Sequence, residues 1–169
     1  MTAEPRIDPD RINRRRRRED TNVFSRLPAV YAASRRQGQQ FLKFGGGLSI
    51  VEWRTLWDLH EAGPMTIRDL AAIQRTDHSL LSRALPAMRE RGLVTVERGQ
   101  GDARRMIVDL TDRGRAAYAR AAPIMARRRR ALRDVLSEEE ITLFAGLLDR
   151  LETFLHIPAQ DILSTEEAK

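Results

Sequence analysis

The chain has 169 residues, 30 Lys+Arg against 24 Asp+Glu, and a formal net charge of +6. Cysteine is absent, which excludes disulfides, zinc–thiolate sites, iron–sulfur clusters and thiol chemistry. No apolar run approaches the ~18 residues of a membrane span, and the polar, Arg-rich start is not a secretory signal, so the expected location is cytoplasmic.

The charge is unevenly spread. Residues 1–22 carry seven Arg and five acids, and residues 137–169 carry two cations and eight acids. The stretch between them is strongly basic. A basic middle beside an acidic end suits a polyanion-binding region joined to a part with another duty. An arginine-biased composition with solvated charges accounts for the same numbers.

In chain order, residues 1–22 read as a disordered basic arm. Pro5, Pro9 and the five-arginine run 14–18 interrupt any apolar period, and like charges in a row repel. Such a run suits a minor-groove or phosphate arm, or a tail with only nonspecific contacts. A first helix is expected from about residue 25, with Pro28 in its tolerant first turn, to the break at residues 45–47. Ser49 and Glu52 form a capping box ahead of Ile50, Trp53, Trp57 and His60 at helical spacing. A short helix at 67–74 and a turn at 75–76 lead to a helix over about 77–91, stopped by Gly92.

The period then changes from helical to alternating. Residues 94–98 and 106–110 read as strands, and the seven residues 99–105 between them as a projecting hairpin tip. Thr111 is placed to cap a long helix reaching about residue 136, with a kink at Pro123. Ser137 and Glu140 make a second capping box. It opens a helix with Ile141, Phe144, Leu147, Leu148, Leu151, Phe154 and Leu155 on one stripe. The last dozen residues read as frayed. The four arginines 127–130 occupy a full helical turn and read as solvated surface.

The fold class that follows is mainly α with a small β-hairpin wing. A winged helix-turn-helix domain spans 49–110, a helical dimerisation region spans 23–48 and 111–157, and a tail spans 158–169. Two helices joined by a short turn fit any helical hairpin. A basic two-stranded hairpin directly after them points to a winged helix-turn-helix.

At about 100° per residue, His78, Ser79, Ser82, Arg83 and Pro86 share one arc of the second helix. Leu80, Leu81, Ala84, Leu85 and Met88 share the other. Short hydroxyls with one long cation suit a helix lying in a major groove. Arg grips guanine bidentately, while Ser and His reach phosphates or base edges. Arg98, Asp102, Arg104 and Arg105 lie on or beside the hairpin tip, where an Arg can enter a narrow minor groove. Asp102 is spaced to brace Arg104 through a charge-assisted bond. No metal-ligand spacing and no nucleophile motif is present: His60, Glu61 and Pro64 do not make the zinc motif, and Gly99 with Gly101 lacks a following helix.

Several stretches carry a family resemblance, namely 47–56, 65–71, 77–83, 91–94 and 101–105 with 108–114. Their order and spacing resemble a MarR-type transcriptional regulator over roughly residues 22–157. The resemblance implies a homodimer built from the first helix and the last two. It implies binding of double-stranded DNA at a pseudo-palindromic operator, usually to repress, with no cofactor, no metal and no enzymatic activity. Asp102 and Arg104 match the family's wing Asp-x-Arg, and Ser79, Ser82 and Arg83 match DNA-facing positions. His78 stands where a basic residue is frequent, and Pro86 departs from the pattern.

Many members release DNA on binding a small phenolic or aromatic acid. Here Tyr31, Arg35, Trp53, Trp57 and His60 are the expected lining of such a pocket, unless both Trp are core. Two other readings stand beside this one: a ligand-independent DNA-binding regulator or architectural protein, and a small enzyme using the Trp/His/Arg pocket. An enzyme has no need of the basic hairpin.

Overall fold

The computed structural model describes residues 7–99 and 102–166, with side chains described over 7–99 and 105–164. The chain divides into a unit ending at Met125 and a second beginning at Ala126.

The first unit opens with α1 (Pro9–Asp20), where a disordered arm was expected. Asp8 caps it, its carboxylate accepting from the amides of Asp10 and Arg11 at 3.0 Å each. Pro9 sits at the first helical position, where a missing N–H costs nothing. Arg15 pairs with Glu19 one turn on, offsetting part of the like-charge repulsion. These local devices win over the charge run.

After Thr21 and its cap Asn22 comes α2 (Val23–Phe44). It begins two residues before the expected start, so Pro28 lies inside the helix rather than in its first turn. Gly45 closes α2, and an added Cβ there would stand 3.0 Å from the Ala121 Cα, a tight contact that the backbone would have to relieve by a few tenths of an ångström.

The Ser49–Glu52 capping box is present and opens α3 (Ile50–Ala62). Glu52 is buried and also pairs with Arg91, tying the start of α3 to a later point in the chain. β1 (Met65–Thr66), α4 (Ile67–Gln74) and α5 (His78–Glu90) follow. Arg75 takes a left-handed conformation (φ 47°) at the turn between α4 and α5, where no glycine is available. Gln74 is buried and donates to Asp58 at 2.9 Å, and its carbonyl accepts from Arg54, so the end of α4 is held on α3. Burial pushes the Asp58 carboxyl up, against the opposing pull of Gln74 and Arg54.

Gly92 stops α5 with φ 65°. The Leu93 amide returns to the Met88 carbonyl at 2.9 Å, and the Gly92 amide to Arg89 at 2.8 Å. The wing strands are β2 (Val94–Gly99) and β3 (Asp102–Leu110). They run further than expected into the predicted seven-residue tip: Gly99 pairs with Asp102 past an irregularity at Arg98/Gly99, and residues 100–101 lie outside the described residues. The sheet is antiparallel in the order β1-β3-β2. β1 was not expected, since its two residues carry no alternation.

Thr111 accepts from the Gly114 amide at 3.0 Å and opens α6 (Asp112–Arg133). The core of this unit takes Leu42 and Leu56 from the helices, Leu70 and Leu81 from the helix pair, Val108 from the sheet and Ala121 from α6.

In the second unit, the Ser137–Glu140 capping box opens α7 (Glu138–Leu155). Its apolar stripe is largely exposed, with Phe144, Leu147, Phe154 and Leu155 all open to solvent. Within the last dozen residues, expected to be frayed, Ala159–Glu166 form α8, and residues 167–169 lie outside the described residues. Among the described residues no helix is long and apolar enough to cross a membrane.

Candidate nucleic-acid interface

α5 is amphipathic because its leucines recur at helical spacing, and the packing follows that arc. Leu81, Leu85 and Met88 are buried, while His78, Ser79, Ser82, Arg83 and Pro86 lie on the opposite, solvent-facing side. Pro86 sits there with its ring away from the core. Leu80 departs from the expected apolar arc and is 37% exposed.

The polar face is internally organised. Asp77 caps the helix through the Ser79 amide at 2.7 Å. Hydrogen bonds from the Ser79 amide and hydroxyl hold the Asp77 carboxyl below the usual carboxylate range, with Arg83 and His78 adding favourable charge. His78 Nδ1 lies 3.1 Å from the Ser82 hydroxyl. Arg83 Nε donates to the Ser79 carbonyl at 3.2 Å, which lays the guanidinium along the helix surface.

Beside this face is an open cavity of about 520 Å³, lined by Thr66, Ile67, Arg68, Asp69, His78, Arg105 and Met106. It joins the start of α4, the start of α5 and the wing strand β3. Arg68, Arg105 and the His78 imidazole set a basic character around one carboxylate. The Asp69 carboxyl is held down by the Thr66 hydroxyl and amide, with Arg105 and Arg68 nearby. A smaller cavity of about 180 Å³ lies along Ser82, Pro86 and Arg89 of α5, against Val96 and Met106.

Of the predicted contact residues, the structure gathers His78 and Arg105 at one cavity and puts Ser79, Ser82 and Arg83 on the adjoining helix face. Arg98 is exposed on β2, opposite Met106. The backbones of Asp102 and Arg104 belong to β3. Their side chains, and the brace expected between them, lie outside the described residues.

Sequence reasoning missed Thr66, Arg68 and Asp69. The signal was available: Thr66 and Asp69 form a third capping box, spaced like the two that were read.

The residues expected to line an effector pocket fall into two groups. Trp53 is buried at 3% exposure and belongs to the core. It stacks on Trp57 (centroids 5.8 Å) and on Tyr118 of α6 (5.5 Å), and His60 stacks on the same Tyr118 ring at 4.0 Å. Tyr118 was not foreseen, since its place depends on how α6 packs against α3. Tyr31 and Arg35 instead pair with each other on α2, through a 3.1 Å hydrogen bond and a guanidinium 5.7 Å above the ring. Neither cavity described above includes any of these five predicted residues.

A short helix, a tight turn, a second helix with a polar exposed face and an antiparallel wing together define a winged helix-turn-helix protein. Residues 46–105 match the MarR family. The matched segment takes in α3, α4, α5 and β2 and reaches into β3, so it holds the winged helix-turn-helix itself.

Solved structures of transcriptional regulators share this fold. AbsC, a MarR family transcriptional regulator from Streptomyces coelicolor, is 26% identical, with 78% of this chain and 90% of that one covered and a TM-score of 0.67. A MarR/EmrR family transcriptional regulator from Acinetobacter sp. ADP1 is 20% identical, with 80% and 96% covered and a TM-score of 0.71. BpsR of Bordetella bronchiseptica, whose DNA binding is regulated by 6-hydroxynicotinic acid, is 20% identical, with 78% and 94% covered and a TM-score of 0.69.

Proposed function

We propose that the protein is a homodimeric repressor that reads a pseudo-palindromic operator with α5 and the wing. The observation that carries this reading is the exposed His78–Ser79–Ser82–Arg83 face, continuous with a cavity bordered by Arg68 and Arg105. Ser79, Ser82 and Arg83 enter the major groove, and Arg83 swings off the Ser79 carbonyl to reach a base edge. Arg68, Arg98 and Arg105 hold the flanking phosphates.

Dimerisation is supported by the exposed apolar stripe on α7, since burial of Phe144, Leu147, Phe154 and Leu155 against a second copy removes a large apolar surface from water. Two subunits then set half-sites about one helical turn, 34–36 Å, apart.

A small aromatic acid is the effector in this reading. Trp57, His60 and Tyr118 belong to one stacked aromatic set that an aromatic acid would have to join or displace, and BpsR supplies the precedent of such an acid acting on DNA binding. The ligand must bind the state that does not fit DNA better than the state that does; equal affinity shifts nothing.

The test is footprinting on DNA upstream of the protein's own gene, with and without aromatic acids. A protected inverted repeat is expected, lost with an active acid. Arg83→Ala should cost about 1–3 kcal/mol on that site and relax base preference. Equal affinity of this variant for cognate and scrambled duplex, at wild-type strength, overturns the assignment of α5.

A further inference from the structure

The winged helix does not account for α1. Its six arginines, at positions 11 and 14–18, are all exposed. At about 100° per residue, Arg11, Arg14, Arg15 and Arg18 share an arc of ~100°, while Arg16 and Arg17 fall outside it. The stripe from Arg11 to Arg18 is about 10 Å long at ~1.5 Å per residue. That is close to the axial rise of three phosphates on one strand, ~3.4 Å each.

The helix is also anchored. Glu19 accepts from Arg15 on α1 and from the Ser25 hydroxyl on α2. The Asn22 amide donates to the Glu19 carbonyl at 3.0 Å, and the Asn22 side chain caps α2. Only Thr21 and Asn22 separate the two helices. The arginines are therefore displayed on a formed helix held at the start of α2, and little backbone ordering entropy remains to be given up on binding.

We propose that α1 is a second DNA-contacting element, a phosphate-binding helix whose Arg11–Arg14–Arg15–Arg18 stripe grips the backbone of duplex flanking the operator. The proposal rests on the reading of α5 and the wing as an operator-binding surface. Duplex DNA fits better than a membrane surface because Ile12 is the only large apolar residue of α1, and a helix lying in a lipid interface needs an apolar face. Phosphate contacts of this kind add affinity and set position without reading sequence.

The experiment compares Arg14→Gln/Arg18→Gln with Arg16→Gln/Arg17→Gln in the full chain. Both remove the same charge, but only the first breaks the stripe. Far-UV circular dichroism checks that α1 persists. Affinity for a duplex carrying the operator and flanks is measured from low to moderate salt.

Removing one arginine–phosphate interaction lowers the slope of log affinity against log salt by about 0.9. The slope of the stripe variant should fall by about 2 per chain and that of the off-stripe variant by less than half as much, with the cognate-to-scrambled ratio unchanged in both. Equal slopes for the two variants, or a wild-type slope in the stripe variant, overturn the proposal. A wild-type slope accompanied by stripe-dependent binding to anionic phospholipid vesicles overturns it in favour of a membrane surface. Arg83→Ala run in parallel separates the two readings. If Arg83→Ala weakens cognate binding while the stripe variant leaves the slope unchanged, only the α1 proposal fails. If Arg83→Ala has no effect, the operator-binding reading itself fails.

Discussion

Replacing Gly114 by Ala tests how α6 is seated on the base of the wing. Gly114 lies in the first turn of α6, and a Cβ built there falls 2.0 Å from the Leu93 carbonyl oxygen, 3.1 Å from the Leu93 carbonyl carbon and 3.3 Å from Leu110 Cδ2. The obstruction is backbone, so no rotamer change relieves it. Leu93 is itself fixed: its amide is bonded to Met88, its carbonyl accepts from the Thr111 amide at 3.3 Å, and the Thr111 hydroxyl donates to the Gly92 carbonyl at 2.6 Å. The separation must grow by about 1 Å, against that network. Overpacking a tight site costs about 1–3 kcal/mol, and a backbone clash belongs at or above the upper end. The better helix propensity of Ala returns about 1 kcal/mol. A net loss of about 2 kcal/mol corresponds to a fall in melting temperature of roughly 4–8 °C for a chain of this size.

Gly146 is the internal control. It lies in α7 with nothing within 4 Å of an added Cβ, on the face away from the apolar stripe. Gly146→Ala should therefore gain about 0.8 kcal/mol, near 2 °C. Differential scanning calorimetry on the two variants reads both signs. A melting temperature for Gly114→Ala at or above wild type would refute the argument that α6 closes directly on the Leu93 backbone.

Two further outcomes concern α5. Leu81→Ala should cost about 2–5 kcal/mol in urea denaturation, because the side chain is fully buried, while Leu80→Ala, one position away and partly exposed, should cost under about 1 kcal/mol; equal losses would mean that α5 is rotated from the described face. The Asp77 carboxyl lies below its ordinary value of 3.8 in the fold, so the stability it lends is complete above that pH and is lost as pH falls through the depressed value. Asp77→Asn keeps an oxygen for the Ser79 amide but does not titrate, so its stability should fall less steeply than wild type between about pH 5 and 2; parallel curves would remove Asp77 from the acid response.

The helix-turn-helix was legible because its signals are local. Capping boxes at Ser49 and Ser137, Gly92 after the last turn of α5, and the leucine spacing of α5 each act within a few residues. The elements that escaped are of two kinds. β1 exists only because Met65 finds Val108 across the chain, a pairing with no local trace. α1 has a local trace, the Asp8 cap with Pro9 after it, but the arginine run obscured it. At the site, the polar face of α5 follows from angle arithmetic alone. The seating of Arg105 beside His78 and Arg68 does not, because it requires the wing to fold back alongside α4. The aromatic set shows the same division: Trp53, Trp57 and His60 are spaced on one helix, whereas Tyr118 arrives from α6.

The two residues of β1 have a consequence for how the molecule opens. Val108 is paired with Met65 on one side and Val96 on the other, so the helix pair and the wing share one strand. Displacing β3 releases both pairings at once, and the closure that joins Met65 to Val108 spans α4, α5 and β2. The segment therefore exchanges its deepest amides as one cooperative unit rather than as a helix hairpin with an independent flap. A reading surface assembled from elements distant in sequence keeps its parts in fixed relation for as long as that single strand stays paired.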